Sequence, residues 1–213
     1  ATRQHGMAID ENGIDIEKAL QISRSGGSLN PLSAQPILET TDDFIHALPA
    51  DVLFENSPVD QHHGQPAINH LRTALECGMH AITANKGAVV YGFDELTKLA
   101  QKNQRRFLFE STVMDGAPIF SLFRTPLPAS ELISFYGILN SCTNLLLERM
   151  ESGDSLEAAV AYGQSIGITE TDPSADIDGW DAAIKVAALV KVLMGKTLTP
   201  AEVQREGIRN ISP

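Results

Sequence analysis

Three short apolar segments, each followed by a polar loop, place the strongest constraint on the fold. They lie at residues 51–55 (DVLFE), 80–83 (HAIT) and 106–110 (RFLFE). A helical pattern follows each of the first two: one helix opens at Pro66, a favourable first-turn residue, and the other spans 93–101. Strands that alternate with helices in this way predict a parallel sheet with right-handed crossovers.

The first 35 residues are polar and interrupted by glycines, which predicts little regular structure. The exception is residues 14–22, where an amphipathic pattern predicts a short helix. We expect Ile16, Leu20 and Ile22 to form its inward face.

The net charge of −11 argues against two classes of partner. The phosphates of nucleic acid and the headgroups of anionic membranes both repel an acidic protein. No apolar run reaches the length of a membrane span, and no signal-peptide pattern opens the chain. Cys77 and Cys142 are far apart and lack metal-site spacing, as in proteins of a reducing cytoplasm. We therefore expect a cytoplasmic protein that binds neither nucleic acid nor membrane.

Residues 167–195 combine a carboxylate-rich loop with an apolar helix. Asp181 and Lys185 lie four residues apart, so they share one face of that helix. A solvated ion pair is the commonest outcome of this spacing. The remainder of the helix is apolar almost all round, however, and such helices are usually buried. A buried lysine beside carboxylates is a candidate proton shuttle, and the residues alone leave both interpretations open.

Polar residues follow each predicted strand, at the edge of the sheet where ligands bind in this class of fold. They are residues 56–57, 83–86 and 110–116. Lys86 alone is typical of a surface lysine. The segment after Glu110 carries a carboxylate and a glycine-bearing loop, which suits either a tight turn or a hard cation.

Several of these segments resemble homoserine dehydrogenases. E-x-D-P at 170–173, followed by a further aspartate and D-G-x-D-x-x-x-K at 178–185, is similar to the family's substrate and proton-transfer segment. T-A-N-K-G at 83–87 resembles its nucleotide-side loop. Residues 137–144 resemble the family signature G-I-x-N-G-T-T-N, except that Ser141 and Cys142 replace glycine and threonine. The resemblance covers roughly residues 50–212.

The resemblance implies an oxidoreductase that interconverts L-aspartate 4-semialdehyde and L-homoserine with NAD or NADP. In such an enzyme Lys185 would donate the proton, Asp181 would hold Lys185, and Glu170 would bind the substrate ammonium. The implied roles are catalysis by Lys185, Asp181 and Lys86, substrate binding by Glu170, Asp176, Asp181 and Thr143, and cofactor binding by Ser57, Thr83 and Lys86.

The resemblance also implies a sodium site, formed by Glu110 together with Val113, Asp115 and Ala117. Asp115-Gly116 replaces the small residues found in many members of the family. The implied partners are an amino-acid semialdehyde as substrate and a second copy of the chain.

The expected fold is α/β. Residues 1–110 would form an incomplete Rossmann-like doubly wound sheet that binds nucleotide. Residues 111–213 would form an α+β domain for substrate binding, catalysis and dimerisation, with a strand at 132–138. No strand followed by G-x-G-x-x-G occurs in the sequence, so we expect a fragment, cut at both ends, that binds cofactor poorly alone. Two alternatives remain: a non-catalytic, dimer-forming fragment, and an oxidoreductase for another small aldehyde.

Overall fold

A small parallel sheet forms the centre of the first half of the chain. The computed structural model describes residues 1–211. The strands are β1 (Val52–Glu55), β2 (His80–Thr83) and β3 (Phe107–Leu108), paired in parallel in the order β1-β2-β3. This confirms the predicted parallel sheet, although β3 is shorter than the apolar run that predicted it. Glu110 instead begins a short 3-10 helix, Glu110–Thr112.

Four helices accompany the sheet in the first half: α1 (Ile16–Arg24), α2 (Thr41–His46), α3 (Ala67–Glu76) and α4 (Lys86–Lys102). The Asn85 side chain caps α4 by accepting a hydrogen bond from the Gly87 N–H. The helix therefore starts directly after β2, seven residues earlier than the sequence pattern predicted. This places Lys86 in a first helical turn rather than in a loop.

The predicted inward face of α1 is wrong. Ile16 is 66% exposed and Leu20 is 44% exposed, and no residue of α1 is buried. An amphipathic pattern favours a helix, but burial also requires an apolar surface for the helix to pack against. Ile22, the third residue of the predicted face, is half-buried.

Within residues 113–211 the regular structure consists of five α-helices and the 3-10 helix Pro200–Glu202. The α-helices are α5 (Ile119–Arg124), α6 (Ser141–Glu151), α7 (Leu156–Ser165), α8 (Ser174–Ile177) and α9 (Trp180–Leu193). Asn140 caps α6 by accepting a hydrogen bond from the Thr143 N–H. Ser155 caps α7, and the carboxylate of the neighbouring Asp154 pairs with Arg149.

The predicted strand at residues 132–138 does not form. The segment has no ladder partner within residues 1–211, so its backbone forms no sheet. Ile133, Tyr136 and Ile138 are 85%, 101% and 71% exposed. The described part of the second half, residues 111–211, contains helices and irregular segments only.

The largest hydrophobic cluster joins the two halves. Apolar residues of α3, α4 and the sheet pack together with Ile184, Ala187, Ala188 and Leu189 of α9. This confirms that α9 is a buried helix. Because α9 packs against α4, the start of α9 lies beside the start of α4. Within the described residues no helix is both long and apolar enough to cross a membrane.

Candidate active site

One carboxylate, Asp181, contacts two lysines from different halves of the chain. Its Oδ1 lies 3.2 Å from the Lys86 Nζ, and its Oδ2 lies 2.8 Å from the Lys185 Nζ. The three side chains are only 20%, 17% and 15% exposed for Lys86, Asp181 and Lys185. Asp181 and Lys185 are therefore not the solvated ion pair that their spacing most often produces. The structure brings together three of the predicted catalytic residues.

The starts of two helices fix this geometry. Gly179 precedes α9 with a φ of 76°, a left-handed conformation that glycine adopts without strain, and this turn puts Asp181 in the first turn of the helix. A carboxylate is favourable there because the helix dipole is positive at its N-terminus. Lys86 occupies the first turn of α4, where the dipole disfavours a cation. Asp181 supplies the compensating negative charge.

Electrostatics determine the ionisation of Asp181. Its burial acts to raise the pKa of the carboxyl group. The charge of Lys86 and the hydrogen bond and charge of Lys185 outweigh that effect, so the pKa lies below its ordinary value of 3.8. Asp181 is therefore ionised at neutral pH and holds both ammonium groups.

Lys185 is oriented by two acceptors. Besides Asp181, its Nζ donates to the backbone carbonyl of Leu139 at 2.7 Å. An ammonium group has three N–H donors, and within residues 1–211 these two acceptors engage two of them. The third donor remains for a ligand.

Asn140 links Asp181 to a second carboxylate. Its Nδ2 donates to the Asp181 Oδ2 at 2.8 Å and to the Asp176 Oδ1 at 2.5 Å. Its Oδ1 accepts the Thr143 N–H at 2.7 Å and so caps α6. The Thr143 hydroxyl donates to the backbone oxygen of Asp176 at 3.2 Å. Two of the predicted substrate residues, Asp176 and Thr143, thus join the cluster through a residue that we did not predict.

The other predicted carboxylate, Glu170, lies outside this cluster. Its side chain is exposed and forms no hydrogen bond or ion pair with residues 1–211. Asp178 pairs instead with Arg209, through two contacts of 2.9 Å. Cys142, which replaces a threonine of the family signature, is buried. Its thiol contacts the Thr169 hydroxyl at 3.3 Å.

The predicted cofactor residues meet at the carboxyl ends of β1 and β2. The Thr83 hydroxyl donates to Glu55, with Oε2 at 3.0 Å, and accepts the Asn85 N–H at 2.9 Å. Asn85 in turn donates to the backbone oxygen of Ser57 at 3.0 Å. The Ser57 Oγ is buried and has no hydrogen-bond partner among the described residues. Ser57 is thus the member of this group with an uncommitted polar atom.

Glu55 anchors the same edge of the sheet. It is 3% exposed, and burial alone would raise the pKa of its carboxyl group. The His70 side chain, with its Nδ1 3.7 Å away, and hydrogen bonds from the Ser57 backbone N–H and the Thr83 hydroxyl outweigh that effect and hold the pKa below its ordinary value. Glu55 therefore stays ionised as the acceptor that orders both strand-end loops.

The side chain of Glu110, the predicted cation ligand, is engaged by the protein itself. The carboxylate of Glu110 accepts the N–H groups of Phe120 and Ser121 and the Ser121 hydroxyl, the last at 2.6 Å. These hydrogen bonds satisfy backbone N–H groups in the first turn of α5. Asp115, another predicted ligand, is exposed. No group of three or more His, Cys, Asp or Glu residues within 1–211 is arranged to hold a metal ion.

Trp180 sits between two cationic or ionisable side chains beside the cluster. The Arg205 guanidinium lies over its ring, 3.6 Å from the centroid, and the His62 ring meets it edge-on at 6.3 Å. His62 comes from the loop after β1, so this contact also joins the two halves. An open cavity of about 530 Å³ lies here. A second cavity, of about 420 Å³, is lined by Phe107, Phe109 and other residues away from the charged cluster and does not contain it.

A parallel sheet with polar strand-end loops, facing a helix that carries a partly buried charged cluster, defines a Rossmann-like α/β protein. The sequence profile described as "Homoserine dehydrogenase, NAD binding domain" matches residues 13–110, and the profile described as "Homoserine dehydrogenase" matches residues 118–213. The chain belongs to the homoserine dehydrogenase family. The profile match begins at residue 13, whereas the resemblance seen in the sequence covered only residues from about 50 onward.

Similar proteins of known sequence and structure carry the same name. Homoserine dehydrogenase of Methanocaldococcus jannaschii is 35% identical over 213 residues, which are 100% of this chain and 63% of the relative. An NAD(+)-dependent homoserine dehydrogenase of Pseudomonas canavaninivorans is 34% identical, over 97% of this chain and 59% of the relative. The chain spans less than two thirds of each.

Solved structures agree with the fold. Homoserine dehydrogenase of Thermoplasma acidophilum has a TM-score of 0.80 at 26% identity, covering 98% of this chain and 63% of its own. A hyperthermophilic archaeal homoserine dehydrogenase in complex with NADPH has a TM-score of 0.76 at 29% identity. That match covers 99% of this chain and 63% of the solved one.

Proposed function

We propose that the protein is an NAD(P)-dependent oxidoreductase that interconverts L-aspartate 4-semialdehyde and L-homoserine, a step towards threonine and methionine. The observation that carries the proposal is the contact of Asp181 with both Lys86 and Lys185. It joins the sheet edge that carries the predicted cofactor residues to the helix that carries the predicted proton donor. Membership of the family and the names of the relatives support the proposal.

Lys185 acts as the proton donor to the alkoxide that forms when the aldehyde is reduced. Asp181 and the Leu139 carbonyl fix its Nζ, so the free N–H has a defined direction. A positioned general acid contributes on the order of 10²–10⁴-fold to the rate.

The substrate amino group binds to carboxylates. Glu170 is free for this role, because its exposed side chain has no partner among residues 1–211. Asp176 and Thr143 provide further contacts on the same side as Asp181. A cationic ammonium group is attracted to such a carboxylate-lined site.

Ser57, Thr83 and Lys86 hold the cofactor, which supplies the hydride when bound. The uncommitted buried Oγ of Ser57 supports this role. Thr83 contributes chiefly by ordering the loop, since its hydroxyl is engaged by Glu55 and Asn85. We propose NAD or NADP as the cofactor, since one relative is named NAD(+)-dependent and one structure contains NADPH.

A sodium ion is not part of the proposed function. Of the residues that would bind it, Glu110 already accepts three hydrogen bonds at the start of α5, which leaves little of its carboxylate for a cation. No step of the proposed reaction involves a cation.

The exposed segment at 132–138 supports a homodimer. It exposes apolar side chains and has no ladder partner among the described residues, so a second copy could cover it. Tyr136→Asp should shift the protein towards monomer in light scattering. Ile16→Asp, at an isoleucine 66% exposed on α1, is the matched control and should leave the mass unchanged. A wild-type protein that is monomeric at high concentration would contradict the proposal.

We also propose a domain boundary near residue 110 and a cytoplasmic location. The two family profiles support the boundary, since one ends at 110 and the other begins at 118. Limited proteolysis that cuts first between those positions would agree with it.

Steady-state kinetics of the full-length protein test the proposed function. L-homoserine and NAD or NADP should produce reduced cofactor, measured by absorbance, and the same assay with other small hydroxy amino acids tests the alternative substrate. A protein that binds no nicotinamide cofactor and oxidises none of these alcohols would contradict the enzyme assignment.

A further inference from the structure

Asn140 is placed where it can control the two aspartates of the site at once. Its single amide group lies 2.5 Å from the Asp176 Oδ1 and 2.8 Å from the Asp181 Oδ2, so its two N–H groups are divided between two carboxylates. The residue is only 9% exposed. Two neighbouring carboxylates repel each other, and a neutral double donor between them offsets the repulsion without adding charge.

The acceptor side of Asn140 adds a second constraint. Its Oδ1 accepts the Thr143 N–H at the start of α6, which fixes the rotation of the amide plane. The donor side must then point at α8 and α9, where Asp176 and Asp181 lie. The start of α6 thereby sets the distance between the two carboxylates.

We propose that Asn140 is a positioning residue of the active site, which holds Asp176 for the substrate and Asp181 for Lys185 in one arrangement. The proposal rests on the proposed function for its catalytic consequence. Its structural content, a donor shared between two carboxylates, is independent of which substrate the protein uses.

Asn140→Asp separates positioning from helix capping. Aspartate caps a helix as well as asparagine does, so a residue that only caps α6 would tolerate the change. The donors are lost, however, and a third carboxylate enters the cluster. We expect kcat/KM for L-homoserine to fall about 10- to 100-fold, the range for losing a hydrogen bond to a charged group, with KM raised through Asp176 and kcat lowered through Asp181.

Asn144→Asp is the matched control. Asn144 lies on the same helix, and its Nδ2 also donates to a carboxylate, that of Glu148, at 2.8 Å, but at an exposed position. The chemical change is identical, and kcat/KM should stay within about twofold of wild type. Kinetics of Asn140→Asp that match those of Asn144→Asp would overturn the proposal.

Thermal melting provides a measurement that does not depend on turnover. In Asn140→Asp three carboxylates face the two ammonium groups of Lys86 and Lys185, which leaves one negative charge uncompensated. The variant should be destabilised near pH 7, and the deficit should shrink near pH 4, where the new carboxyl group takes up a proton. Asn144→Asp also brings a carboxylate close to Glu148, but solvent screens this exposed pair, so its deficit and its recovery should both be much smaller. A deficit in Tm that is equal at both pH values would overturn the proposal, even if the wild type proves inactive and the proposed function fails.

Asn140→Ser covers the case in which Asn140→Asp does not fold. Serine also caps helices, but its hydroxyl carries one hydrogen and cannot donate to both carboxylates. We expect the same direction of change in KM and kcat. Wild-type kinetics in Asn140→Ser would show that the shared donor is dispensable and that the proposal is wrong.

Discussion

Asp181→Asn should destabilise the protein far more than the loss of an ordinary ion pair. The substitution removes the charge that holds two ammonium groups, at 3.2 Å and 2.8 Å, while their side chains stay 20% and 15% exposed. At an effective dielectric constant of about 20, each contact is worth roughly 5 kcal/mol before desolvation. Desolvation offsets most of that attraction, but removing one partner leaves the others uncompensated. We expect a loss of about 2–3 kcal/mol, or about 5–10 °C in Tm for a chain of this size.

Asp94→Asn is the matched control, because Asp94 pairs with Lys191 of the same helix α9 at 2.6 Å. The Asp94 side chain is 63% exposed, so solvent screens this pair. We expect at most about 1 kcal/mol for its loss. Chemical denaturation near pH 7 compares the two variants directly. Equal, small effects would mean that the Asp181 cluster is as solvated as an ordinary surface pair.

The pH dependence of the Asp181 effect has a defined sign. The pKa of Asp181 is lower in the folded protein than its ordinary value of 3.8. A depressed carboxyl pKa stabilises the folded state above the unfolded value, and the contribution is lost as the pH falls through the folded pKa. The difference between wild type and Asp181→Asn should therefore persist from neutral pH down to about 4 and shrink only below it. A difference that disappears between pH 7 and 5 would refute the reasoning.

Three further substitutions test the site and its support. Lys185→Ala should lower kcat at least about 10²-fold with a smaller effect on KM, and wild-type turnover in this variant would end its role as proton donor. Glu170→Gln should chiefly raise KM for L-homoserine, since its proposed role is to bind the ammonium; an unchanged KM would exclude that contact. Gly87→Ala should destabilise by about 1–3 kcal/mol, because a Cβ there would lie 2.5 Å from a backbone oxygen of the loop after β1. Gly137→Ala, with nothing within 4 Å, is its control in denaturation experiments, and equal stability of the two would count against the close approach.

The sheet was predictable because its signals are local. The strand β2 has the predicted bounds, since an apolar run between a glycine turn and a polar loop defines both ends. Residues 132–138 carry a similar apolar pattern and yet form no strand, because pairing depends on a neighbour that composition does not reveal. The apolar pattern of α1 likewise predicts a helix but does not reveal whether another element packs against it.

The site was predictable only in part. The Asp181–Lys185 pair follows from helical spacing, but Lys86 lies 95 residues from Asp181, and only the family resemblance connected them before the structure was known. Asn140 was missed because its two carboxylate partners are 36 and 41 residues along the chain. Its position before a helix, in the family signature, was the available signal. That signal predicts the cap, whereas the bridge between the aspartates depends on the packing of α6 against α8 and α9.

The surroundings of Trp180 make the protein its own spectroscopic probe. It is the only tryptophan among the 213 residues and lies next to Asp181 in sequence, between His62 and Arg205. Tryptophan fluorescence therefore reports on one position, where the loop after β1 meets the first turn of α9. A ligand that enters between these elements changes the polarity around the indole ring and the distance to its two neighbours. Stopped-flow emission can thus time the arrival of cofactor and substrate separately, without an extrinsic label.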